Sequence, residues 1–177
     1  MFGGDKAVEK RREAMRLADA AADHALDALA EGDPKRAKKE LEAVPKKTAF
    51  ADGGWKPALA MAVTDLAMGK RRAGLARLVD VCAGLDETSL SRDEKGYLRL
   101  YALYRAIEAS KDGRAPAELR AQVDDFRFDQ TLVSRQLKSR FPLKKVEESS
   151  PPPPPMARPP GCVPLSVLHI HELPQRI

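Results

Sequence analysis

The side chains with metal chemistry stand together near one end of the chain: His169 and His171 are one residue apart, with Cys162 and Glu172 close by. Imidazole and thiolate both bind transition metals, and alternate residues of an extended strand face the same way. The spacings match no common zinc pattern, however, so the plainer reading is a pair of tail histidines, and no metal is expected. His24, between Asp23 and Ala25, has no serine or cysteine nucleophile assignable to it and reads as a solvated or capped side chain. Asp124, Asp125 and Asp129 lack the glycine-turned loop of a calcium site and suit a helix end or a solvated face. Gly53-Gly54 follows no strand, and Gly69-Lys70 lacks the upstream glycine of a phosphate loop. No catalytic residue and no cofactor is assigned, and the chain is expected to be non-enzymatic.

Cations supply the remaining candidate chemistry. Lys35, Arg36, Lys38, Lys39, Lys46 and Lys47 form one cluster, and Lys70, Arg71, Arg72 and Arg77 a second. Arg135, Lys138, Arg140, Lys144 and Lys145 form a third. If the helices carrying the first two share an outer surface, Lys35, Lys38, Lys39, Arg71 and Arg72 merge into a basic stripe able to contact phosphates. Glu40 and Glu42 interrupt that stripe, and no aromatic platform accompanies it. The net charge of +5 permits an anionic partner without requiring one. An ordinary solvated face is the competing reading.

These residues must be positioned by helices. The chain leans on Ala, Leu, Glu, Lys and Arg, which keep most of their side-chain freedom in a helix. Val8, Met15, Ala22 and Leu29 recur every seventh residue along a first helix expected from about Asp5 to Glu31. Gly32 can take the left-handed conformation that ends it, Asp33 can cap the next helix, and Pro34 suits that helix's first position. The second helix is expected to reach about Val44, ahead of Pro45. Pro57 is expected to open a third, apolar almost all round, with Trp55 packing over the joint. Leu75, Leu78, Val79 and Cys82 mark a fourth, ending near Gly84. Ser91 and Glu94 have capping-box spacing at the start of a fifth, which runs to about Ala109. Pro116 opens a sixth with Leu119, Val123 and Phe126, and a last helix is expected over about Thr131–Arg140.

Two domains follow: a helical domain over 1–145 and a tail over 146–177. Nine of the fourteen prolines fall within 151–174, which favours an extended or disordered path over any packed element. Cys82 and Cys162 lie in dissimilar settings and do not make a disulfide framework. No apolar run approaches the roughly 18 residues of a membrane span. Met1-Phe2-Gly3-Gly4-Asp5-Lys6 lacks a signal-peptide core, so a cytoplasmic location is expected.

One pattern occurs twice, 37 residues apart: Leu29, Gly32, Asp33, Ala37 and Leu41, then Leu66, Gly69, Lys70, Gly74 and Leu78. Repetition at this period indicates stacked helix pairs. The pattern resembles the tetratricopeptide repeat, with Gly-Asp at the turn, a small residue five later and a large apolar residue four after that. Lys70 departs from the acidic position. A third copy, aligned on Ser110, Ala115 and Leu119, has no glycine. The resemblance covers roughly residues 18–122 and implies an all-α fold of antiparallel helix pairs, a solenoid or an irregular bundle. It further implies a concave groove lined by the first helix of each pair: Asp19, Ala22 and Leu26, then Lys56, Leu59 and Val63, then Tyr97, Leu100 and Tyr104. Relatives that clamp a peptide carboxylate use Lys and Asn where this chain has Ala22 and Leu26, so the resemblance argues against that ligand class. The function it implies is a protein-interaction scaffold that binds another protein or peptide. The alternative is a nucleic-acid- or anionic-surface-binding protein using the basic stripe.

Overall fold

A helix ends cleanly when its last carbonyls find new donors, and this chain does so twice in the same way. At the first reversal Gly32 has φ +81°, Asp33 N–H donates to Ala28 O (2.8 Å) and Gly32 N–H to Leu29 O (3.1 Å). At the second, Gly69 has φ +77°, Lys70 N–H donates to Asp65 O (2.8 Å) and Gly69 N–H to Leu66 O (3.0 Å). Both are the paired hydrogen bonds of a Schellman end, which needs a left-handed residue and so favours glycine.

The computed structural model describes residues 4–44, 54–124 and 127–144. Among the described residues there are seven α-helices and no strand: α1 (Gly4–Ala30), α2 (Pro34–Glu42), α3 (Trp55–Ala67), α4 (Arg71–Gly84), α5 (Arg92–Ala109), α6 (Ala117–Asp124) and α7 (Arg135–Arg140). Short 3-10 turns occupy Leu85–Glu87 and Gln130–Leu132. No helix among them is long and apolar enough to cross a membrane. The proline-rich tail, with Cys162, His169, His171 and Glu172, lies outside the described residues, as do Lys46, Lys47, Phe126 and Lys145.

Packing follows chain order. α1 packs on α2 and α3, α2 on α3, α3 on α4, α4 on α5 and α6, and α5 on α6. The seams use small residues where backbones approach: Ala22, Ala25 and Ala28 of α1 and Ala37 of α2 are fully buried. Gly74, the counterpart of Ala37, has no room for a Cβ, which would lie 2.5 Å from Leu66 Cδ2 and 3.0 Å from Ala62 O. Leu41 and Leu78 follow at matching positions, both in the core. Asp33 caps α2 through Arg36 N–H (3.0 Å), and the Ser91–Glu94 capping box forms at α5 in both directions.

Three boundaries differ from the sequence expectation. α2 stops at Glu42 because its last turn tightens, with Ala43 N–H on Glu40 O and Val44 N–H on Leu41 O. α3 starts two residues ahead of Pro57, at Trp55. A proline is tolerated there because first-turn amides have no partner within the helix. The last helix is divided: Val133 turns inward and is buried, and Ser134 then caps the six-residue α7.

Leu78 of α4 is fully buried in the core. Leu78→Ala is expected to cost about 2–5 kcal/mol in urea denaturation, and a cost under 1 kcal/mol would place the α4 seam outside the core.

Candidate functional site

Asp19, Asp23 and Asp27 recur every fourth residue of α1 and so share one side of that helix. Opposite them, at the start of α3, Lys56 is nearly buried, and its Nζ lies 2.7 Å from Asp19 Oδ1 and 3.0 Å from Asp23 Oδ1. A second cation arrives from the far end of the chain. Arg140 places Nε 3.1 Å from Asp23 Oδ1 and Nη1 2.5 Å from Asp27 Oδ1. Asp23 Oδ1 sits between the two cations without a well-directed N–H, so its pairing is Coulombic rather than a formed hydrogen bond.

The residue after Arg140 completes the site. Phe141 is 0 % exposed. Its ring meets Trp55 of α3 at 6.1 Å and Tyr101 of α5 at 5.3 Å, the latter edge-on at 74°. Edge-to-face pairs set the positive ring edge against the negative ring face. The Tyr97 hydroxyl donates to Phe141 O at 2.8 Å. Arg105 lies 5.1 Å from the Tyr101 ring centroid, a cation–π distance that helps to fix that ring. The segment 134–144 is thus a strap laid across the face that α1, α3 and α5 form. On one side of it a cleft of about 260 Å³ is lined by Asp19, Trp55, Lys56, Leu137 and Arg140 among others. On the other, a cleft of about 360 Å³ is lined by Leu26, Leu29, Val63, Ala67, Tyr101 and Arg140 among others.

Of the residues expected to line a groove, Lys56 and Tyr97 touch partners of the strap or the strap itself, and Val63 lines the larger cleft. Leu59 is 1 % exposed and belongs to the core, with Leu100 and Tyr104 half-buried against it. Of the basic stripe, Lys35, Lys39, Arg71 and Arg72 are exposed, while half-buried Lys38 pairs with Glu42 at 3.5 Å. Arg36 pairs with Glu31 at 2.6 Å and Arg77 with Asp65 at 2.9 Å. His24 lies 3.7 Å from Glu40. Asp129 accepts from Thr131 and so caps the start of the Gln130–Leu132 turn. Among the described residues no His, Cys, Asp and Glu cluster has metal-binding geometry.

Arg140 entered the sequence reading only as one of many cations, and Phe141, Tyr101 and Asp27 entered no site. The available signal was a basic–aromatic pair directly before a proline, in a chain with few aromatics. No family model matches the chain, and no curated protein or solved structure matches it.

Three buried weak acids bear on the site or the core beneath it. Burial pushes the Tyr97 phenol up, opposed by the Leu143 backbone amide, and pushes the Tyr101 phenol up, opposed chiefly by Arg105. Burial also raises the Cys82 thiol from 9.0 to about 12. Folded pKa values above the unfolded ones mean that the folded state holds its protons longer. The stabilisation is complete below pH 9.0 and is lost as pH rises toward about 12. Urea midpoints are therefore expected to stay level up to that lower limit and fall above it; a midpoint that stays level over the window would show that these groups ionise as readily in the fold as in the unfolded chain.

Tyr97→Phe removes the one hydroxyl on the buried Phe141 carbonyl. It is expected to cost about 1–3 kcal/mol, the range for an acceptor left unmet, in equilibrium denaturation. No change would mean that water reaches that carbonyl.

Proposed function

We propose that this protein is a non-enzymatic interaction scaffold, built from tetratricopeptide-like helix pairs, that binds a peptide segment of another protein on the face formed by α1, α3 and α5. The observation that carries this reading is the strap itself. The face encloses a ring completely and reads a backbone carbonyl through Tyr97, which are the two elements of peptide recognition: a side-chain pocket and a main-chain contact. The repeated Schellman ends and the matched Ala37/Gly74 and Leu41/Leu78 positions support the helix-pair part of the reading.

A second reading keeps the basic outer surface. Lys35, Lys39, Arg71 and Arg72 are exposed and make no ion pair among the described residues, which favours contact with phosphates. Internal pairing of Arg36, Lys38 and Arg77 weakens that surface, which leaves the peptide face as the stronger reading.

One experiment separates the two. Peptides selected from a displayed library on the full chain are tested against Ala67→Trp, at an exposed residue lining the larger cleft, and against Arg71→Glu/Arg72→Glu. The peptide-face reading expects Ala67→Trp to weaken capture about tenfold or more, with helical circular dichroism intact. Retained capture by Ala67→Trp, together with salt-sensitive oligonucleotide binding lost in the charge-reversed variant, would favour the basic surface instead.

A further inference from the structure

The strap is held by few contacts, and they are specific ones. α7 is six residues long and buries none of them. Helices shorter than about 12–15 residues are marginal in isolation, so α7 depends on its docking. What docks it is a dipeptide. Arg140 reaches two carboxylates of α1, and Phe141 fills the space between Trp55 and Tyr101, with its carbonyl on Tyr97. Val133, at the near end of the strap, is itself buried in the core.

We infer that this face recognises a basic–aromatic dipeptide, arginine followed by phenylalanine, and that Arg140-Phe141 is a resident copy of that ligand which a partner's copy displaces.

The chemistry of the face fits a cation beside a ring. Asp19, Asp23 and Asp27 present three carboxylates, and Lys56 balances only part of that charge. Asp23 Oδ1, close to two cations yet without a directed N–H, leaves a position that an incoming guanidinium can meet with better geometry. The neighbouring seat is aromatic on both the α3 and α5 sides. Both clefts border Arg140, so a peptide can begin to bind on either side before the strap has left. A tethered competitor acts at an effective concentration in the millimolar range, so the closed strap lowers apparent affinity for any free peptide by the fraction of time it is seated.

The inference rests on the peptide-face reading and specifies its ligand. Its test uses the full chain and a labelled synthetic peptide with the sequence of residues 134–144. Trp55 is the chain's one tryptophan and lies beside Phe141, so its emission reports whether the seat is filled. Phe141→Ala is expected to bind the peptide about tenfold or more tightly than the wild type does, as removal of a cis competitor requires. The gain should disappear when the peptide carries Ala-Ala in place of Arg-Phe, and when Asp23→Asn/Asp27→Asn is added to the protein. Native-state hydrogen exchange on the wild type supplies a measurement that needs no variant. Strap amides at 137–141 should exchange at least about tenfold faster than core amides of α5, as expected of a segment that opens alone.

Exchange of strap and α5 amides together, or loss of helical circular dichroism in Phe141→Ala, would make the strap an inseparable part of the core and overturn the inference. Equal binding of the Arg-Phe and Ala-Ala peptides would overturn it too. If Phe141→Ala ignores the peptide but captures library-selected sequences lacking the pair, the dipeptide assignment falls and the peptide face stands. If it captures neither, both fall.

Discussion

Phe141 has no exposed surface, and its ring fills the space between α3 and α5. α3 packs on α1, α2 and α4, while α5 packs on α4 and α6. The ring is what joins Trp55 of the one to Tyr101 of the other. α1 brings mainly alanines to its seams, which permit close approach but fill little volume. Close-packed interiors do not tolerate a void the size of a phenyl ring without cost. An apolar ring must therefore occupy the face, and the chain supplies one from its own later residues.

The charges above that ring serve position more than strength. Lys56 is nearly buried, and removing such a cation from water offsets much of what its two aspartates return. Arg140 is more exposed, so its pairs are partly screened. What the arrangement does provide is register. A guanidinium offers donors in a fixed planar fork, so Nε and Nη1 meet Asp23 and Asp27 only when Arg140 lies at one height along α1. That height delivers Phe141 to its seat and its carbonyl to Tyr97.

The two glycine reversals were legible in the sequence because their determinants are local. Gly32, Asp33 and Pro34 each act within a turn of their own position, and so do Ser91 and Glu94. Ala37, Leu41 and Leu78 were legible because helical spacing and repetition both place them inward. The site was not legible in the same way. Arg140 meets Asp27 from 113 residues away and Phe141 meets Tyr97 from 44, and no period in the sequence relates them. The expected groove positions went partly inward for a similar reason: a repeat pattern places Leu59 and Tyr97 on a helix face, but the depth of that face depends on what covers it. Val133 divides the last expected helix because tertiary burial outweighs local propensity there.

The route of the strap follows from where the repetition fails. α5 ends at Ser110 in an extended conformation, with no left-handed glycine to reverse the chain at once, and the connection runs on to Ala117. α6 then has only eight residues against the eighteen of α5. At 1.5 Å per residue it spans about 12 Å beside a helix of about 27 Å, so much of α5 is left for other residues to cover. The chain turns back along that helix. Phe128 lies where a side chain at Gly96 would have to be, its Cδ1 2.6 Å from the Cβ position, and Asp129 N–H donates to Asp93 at 2.8 Å. From there Val133 enters the core and Arg140 reaches α1. A partner matched in length as α4 is to α3, fourteen residues beside thirteen, would have covered more of α5. The shortened α6 is what leaves this stretch of chain free to return to the face that its own dipeptide now fills.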